Sequence, residues 1–151
     1  MTKPGDVFEI STASGQAYLQ FMQKNKLMGP AMRVLPGTYV DGNPDIGSLV
    51  RTAAGYWIFF PLAAALKAKI LRPVGAFEIP SHAEKLPIFR SGVVDPATGR
   101  VENWWLWDGE NSRMVGAITE EQRKLPIKSI WNDTLLVERI EQGWSPENDR
   151  R

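Results

Sequence analysis

Along the first third of the chain, apolar and polar positions alternate in short runs closed by glycine or proline. GDVFEIS, GQAYLQFMQ and GPAMRVLPG each read as a strand, and their short connections predict a β-meander. In the first run Val7 and Glu9 point one way and Phe8 and Ile10 the other. The period then changes. Ile46, Leu49, Val50 and Ala53 fall at helical spacing, with Asp45 as N-cap and Gly55 as C′ terminator. YWIFF at 56–60 is unbroken aromatic and β-branched sequence, which predicts a strand buried on both faces. Pro61 suits the first position of a helix through LAAALKAK, where Leu62 and Leu66 stand one turn apart.

ILRPVGAFEIP reads as extended, because Pro73 and Pro80 disfavour helix just before them. SHAEK pairs Ser81 with Glu84 in a capping-box pattern for one short turn, and TEEQRK repeats the pattern with Thr119 and Gln122. Between them, IFRSGVVDPATGRVENWWLWDGENSRMVGAIT predicts two hairpins in a row, turned by DPATG and DGEN. DTLLVERIEQG fits either helix or strand over 134–142, and Gly143 as a terminator favours helix. SPENDRR, residues 145–151, is a polar tail expected to fray beyond a single globular domain of 1–144.

The second hairpin carries NWWLWDGE. As a strand it sends Asn103, Trp105 and Trp107 to one face and Trp104 and Leu106 to the other. Pairing back through a four-residue DGEN loop sets Trp105 opposite Met114, Trp104 opposite Val115 and Asn103 opposite Gly116. Both faces are then apolar, as in a strand enclosed on two sides. Trp104 and Leu106 read as core, and Trp105 also leans to the core. Trp107 leans to the core as well, but, bordering Asp108 and Glu110, it is the indole left open to the surface and to a function.

Composition narrows the chemistry. The 151 residues include no cysteine and one histidine, which removes thiol catalysis, disulfides and the usual His-rich metal sites. A chain of this length buries roughly 70% of its unfolded surface, enough for a core without such staples. Eighteen Lys and Arg against 17 Asp and Glu give no basic excess for nucleic acid. The clusters Lys24, Lys26, Arg33 and Lys67, Lys69, Arg72 read as ordinary surface charge, and Phe8, Phe21, Phe59 and Phe60 as core. Ala53–Leu66 is the longest apolar run, too short to span a bilayer and broken by Gly55 and Pro61. MTKPGDVFEI lacks the apolar core of a signal peptide, so the expected compartment is the cytoplasm.

No nucleotide, protease or hydrolase motif appears. His82 reads as a solvated turn residue, and Glu120 and Glu121 as favouring a helix N-terminus. Asp108 and Glu110 beside Trp107 would suit a glycosidase cleft, yet DGE is ordinary turn composition. The expectation is a non-enzyme with no cofactor and no metal.

KPGDVFEI, GQAYLQF, RVLPG, YWIFFPLAAAL, WWLWDG and IWND…LVERI follow one another along most of the chain. In that order they resemble the immunity protein 26 family of bacterial polymorphic toxin systems. The opening strand and meander are its most typical part. The tryptophan strand is denser in indole than the family at large, as in a divergent relative. The resemblance implies a cytosolic, mainly β protein that binds and neutralises a cognate toxin without catalysis. Such a partner suits an aromatic and acidic edge, and Trp107, Asp108 and Glu110, with Trp105 beside them, are the candidates. The expected fold is α+β: a small antiparallel SH3-like β-barrel with two or three short helices packed on it. A β-barrel accessory protein that binds nucleic acid or a small ligand is the alternative.

Overall fold

The computed structural model describes residues 1–41 and 43–151. Its first strands are the expected meander, β1 (Asp6–Thr12), β2 (Gly15–Asn25) and β3 (Gly29–Val34). Helix α1 (Ile46–Arg51), strand β4 (Tyr56–Phe59), helix α2 (Leu62–Lys67) and strand β5 (Arg72–Ala76) follow. The five strands form one antiparallel sheet in the order β4-β3-β2-β1-β5. The second half supplies β6 (Phe89–Ser91), the short β7 (Val94–Asp95) and β8 (Arg100–Val101), β9 (Trp104–Trp107) and β10 (Ser112–Gly116). Strands β10-β9-β6 make a second antiparallel sheet, and β7 and β8 pair only with each other. Helices α3 (Glu120–Arg123) and α4 (Asp133–Gln142) bring the α-helices among the described residues to four, where two or three were expected. The fold is mixed α and β with mostly antiparallel strands. Among the described residues no pairing joins β4 to β5, and no barrel closes.

Both faces of the five-stranded sheet carry packed neighbours along β1 to β4, while β5 is exposed throughout. Phe8 and Ile10 stand opposite Leu19 and Ala17, and Met32 opposite Ile58. That face packs under Leu62 and Ala65 of α2 and Leu136 of α4. Alternate residues turn the other way. Val7 and Tyr18 meet Val50 of α1, while Ala31 and Phe59 meet Phe89 and Trp107 of the second sheet. YWIFF is therefore enclosed on both faces although β4 lies at the end of the strand order. Its outer edge is covered where the Trp131 amide donates to the Phe59 carbonyl at 2.9 Å.

The helix ends follow their caps. Asp45 accepts from the Ser48 amide at 3.2 Å, and Thr119 and Gln122 complete their capping box. The ambiguous segment is helical: Asn132 caps α4 through the Leu135 amide at 2.8 Å, and Gly143 ends it with φ 66°. Three expectations shift. Pro61 sits at the N-cap, one position before α2. Gly55 is not the terminator of α1, which ends at Arg51. It serves a close approach instead, since a Cβ there would lie 2.3 Å from the Val34 carbonyl oxygen. Ser81 lies inside a three-residue 3-10 turn that begins after Pro80, so it makes no cap bond and the box with Glu84 does not form.

The tail is the larger correction. Residues expected to fray instead dock, with Pro146 and Asp149 buried. They bring acceptors to arginines far away in sequence. Arg90 Nη2 donates to the Pro146 carbonyl at 2.6 Å, and Arg123 Nη2 donates to the carbonyls of Asp149 and Arg151, each at 2.8 Å. The Asp149 carboxylate accepts from Arg151 Nε at 2.9 Å and Trp144 Nε1 at 3.1 Å, with Arg139 at 3.8 Å.

Burial alone would raise the Asp149 carboxyl. The hydrogen bonds and charge of Arg151, helped by the Trp144 indole, outweigh it and hold the group well below the usual carboxylate range. A depressed folded-state pKa stabilises the fold above the unfolded value near 4 and stops doing so as pH falls. Urea titrations should show stability declining from about pH 5 toward pH 2, and Asp149→Asn should flatten that slope. At neutral pH Asp149→Ala should cost about 2 kcal/mol, because it removes the buried acceptor shared by the partly buried Arg151, Arg139 and Trp144.

Candidate interaction face around Trp105

The second sheet presents its side chains in rows. Phe89, Trp107 and Ser112 are register partners in one row, and Ser91, Trp105 and Met114 in the next. Alternation along β9 puts Trp105 and Trp107 on the same face. That face lies on Phe59 and Ala31 only at the Trp107 end. Trp107 packs edge-on to Phe59 and Phe89 at centroid distances of 5.8 and 5.6 Å and is 2% exposed. One row further on the support ends, and Trp105 is 41% exposed. Both indoles leaned to the core; Trp107, the one left open to a function, is core, and Trp105 is the one at the surface.

The opposite face is closed by charge as well as by apolar contact. Trp104 is buried beneath Arg90, whose Cζ lies 4.5 Å from the ring centroid. Leu106 is also buried. The expected Trp105–Met114 pairing forms, but Trp104 pairs with Gly116, not Val115, because β10 is irregular between Met114 and Gly116. Gly116 takes φ 73° there, a conformation that glycine adopts without steric penalty. Asn103 lies outside β9.

Of the two turn acids, Asp108 holds the turn together. Asp108 Oδ1 accepts from the Glu110 amide at 2.9 Å and the Asn111 amide at 2.8 Å. The Asn111 and Glu110 amides hold its carboxyl below the usual range, the opposite of what a general acid needs. Glu110 is exposed at the tip. The turn is itself tied back, since Asn25 Nδ2 donates to the Gly109 carbonyl at 3.0 Å. His82, also exposed, places Nε2 3.1 Å from the Arg51 carbonyl oxygen. Of the presumed surface cations, Arg33 is buried, donating to the Thr52 carbonyl at 2.8 Å and to that of Val50 at the end of α1.

Beside Trp105 lies an open groove of about 890 Å³. The 92–96 segment forms one wall, with Met28, Glu102, Asn103 and Lys128 around the indole. Within that wall Gly92 packs closely against β8, where an added Cβ would collide with Val101 Cγ1. Apolar surface continues around the opening. Met114 is 59% exposed and Val93 88%. Leu27, next in sequence to Met28, is exposed as well. The groove and its rim therefore combine a half-open indole, flexible aliphatic groups and a few polar side chains, a composition suited to recognition.

Sequence reasoning had Met114 as the partner of Trp105 but not as surface, and it passed over Val93, Glu102 and Lys128. Only the exposed side of a β-hairpin with valines beside its turn hinted at them. Among the described residues no group of three or more His, Asp or Glu side chains is placed to hold a metal ion. No helix among them is long and apolar enough to cross a membrane. No family model, curated protein or solved structure matches the chain.

The two indoles should respond oppositely to truncation. Trp107→Ala should lower unfolding free energy by about 3–5 kcal/mol in a denaturant titration. Trp105→Ala should change it by about 1 kcal/mol or less.

Proposed function

We propose that this chain is a non-catalytic, cytoplasmic binding protein of immunity type that neutralises a cognate protein toxin, as its resemblance implies. The observation carrying the reading is the exposure of Trp105 and Met114 on one sheet face beside a groove. This domain buries its other large aromatics at least in part, so an indole left open beside exposed Met114 and Val93 supports a partner contact. The contact moves from Trp107 to Trp105, with Met114 and Val93 around it and Glu110 at the margin. On this reading the five-stranded sheet corresponds to an SH3-like barrel left open between β4 and β5.

The groove's size also lies within the range of small-molecule sites, which supports ligand binding as the second reading. Affinity capture separates the two. The tagged protein should retain one stoichiometric protein from extract of its own cells, and Trp105→Ala should lose it while keeping its melting temperature. That protein should be toxic when produced alone and harmless when produced with this one. Capture that Trp105→Ala leaves intact, or a captured protein without toxicity, refutes the proposal.

A further inference from the structure

Cationic side chains cover most of the indoles in this molecule. Arg90 stacks on Trp104 at 4.5 Å, and Lys128 on Trp107 at 4.6 Å. Arg139 lies between Trp131 and Trp144 at 4.6 and 4.5 Å. Four of the six tryptophans thus carry a cation over the ring. Trp57 carries none among the described residues, but it packs half-buried against the Phe59–Trp107 cluster. Among the described residues Trp105 is the one indole both exposed and without a cation over its ring.

Carboxylates share its groove. Glu102 lines the same groove, is exposed, and has no hydrogen bond or ion pair from any described side chain. Asp95 lines it too, although its carboxylate also accepts the Ala97 amide at 2.9 Å and its register partner is Arg100. Lys128 is the one cation on the lining among the described residues, and its ammonium is held over Trp107. The groove thus combines an open indole face with a free carboxylate, while four of the other tryptophans have a cation of this protein over the ring.

We infer that the groove receives an arginine side chain of the protein partner, stacked on Trp105 with its guanidinium toward Glu102. This rests on the Trp105 face being the partner contact. Arginine fits better than lysine because its planar fork stacks on a ring while donating to a carboxylate. The partner surface is accordingly basic, complementary to the two groove acids.

The test follows the indole Nε1–H signals of the full chain by NMR during titration with N-acetyl-arginine methylamide. The citrulline analogue, of the same shape without the charge, is the control. The Trp105 signal should move and saturate with a dissociation constant on the order of tens of millimolar. Citrulline should bind about fivefold more weakly, and Glu102→Gln should weaken arginine by a similar factor. Equal response to both probes, no movement of Trp105, or indifference to Glu102→Gln overturns the inference. In partner capture, loss by Trp105→Ala with full retention by Glu102→Gln would sink the arginine anchor and leave the immunity reading standing. Arginine-selective shifts in a protein that captures no toxin would instead leave a cation-binding groove and remove the toxin.

Discussion

The guanidinium of Arg90 is the constraint on which the second half of the fold depends. It is fully buried, and a buried charge is tolerable only where the surroundings supply acceptors. Nε donates to the Leu125 carbonyl at 3.3 Å, Nη2 donates to that of Pro146, and the ring of Trp104 takes one face. Burial first, and Arg123 second, push its pKa down to about 10, still well above neutrality. Its backbone is equally engaged: the amide donates to the Pro126 carbonyl at 2.8 Å, and the carbonyl accepts from Lys128 at 2.9 Å. One residue therefore fixes β6, the Trp104 face of β9, the 125–128 segment and the C-terminal turn relative to one another.

That anchoring reaches the first sheet through a short stretch of chain. The same segment that bonds Arg90 at 126 and 128 goes on to meet Phe59 through Ile130 and Trp131. Two sheets that share no ladder are thus laced along one edge. The Phe59, Phe89 and Trp107 rings are pressed together between them, at centroid separations of 5.0 to 5.8 Å. The reach of this contact decides where the apolar face of β9 stops being interior.

The local grammar of the chain was legible. The meander, the Thr119–Gln122 box, the Asp45 cap, the left-handed Gly143 and the Trp105–Met114 pairing all rest on neighbours in sequence or across a hairpin. Alternation also assigned Trp105 and Trp107 to one face. It could not say which of them would be covered, because cover comes from Phe59, far away in sequence, and ends after one row. The polar tail misled for a similar reason. SPENDRR has no apolar periodicity, and what holds it is a set of arginines at 90, 123 and 139 whose convergence only the tertiary fold creates. Barrel closure is likewise a long-range property, and local strand patterns do not determine whether β4 meets β5.

Why, then, should Trp105 remain outside in a domain that covers its other indoles? Its strand offers no local escape, since any residue at 105 stands one row beyond the last support. A serine or threonine there would be the cheap solution for solubility, and its neighbours Ser91 and Ser112 show that the sheet uses them. Retaining indole at that position, with Met114 across the ladder and Val93 over the rim, exposes apolar area that folding does not require. Surface that folding does not explain is better explained by binding. That exposure supports the proposed contact independently of the family resemblance. Only the chemistry beside the ring, an uncommitted carboxylate and an absent cation, gives the proposed partner a character.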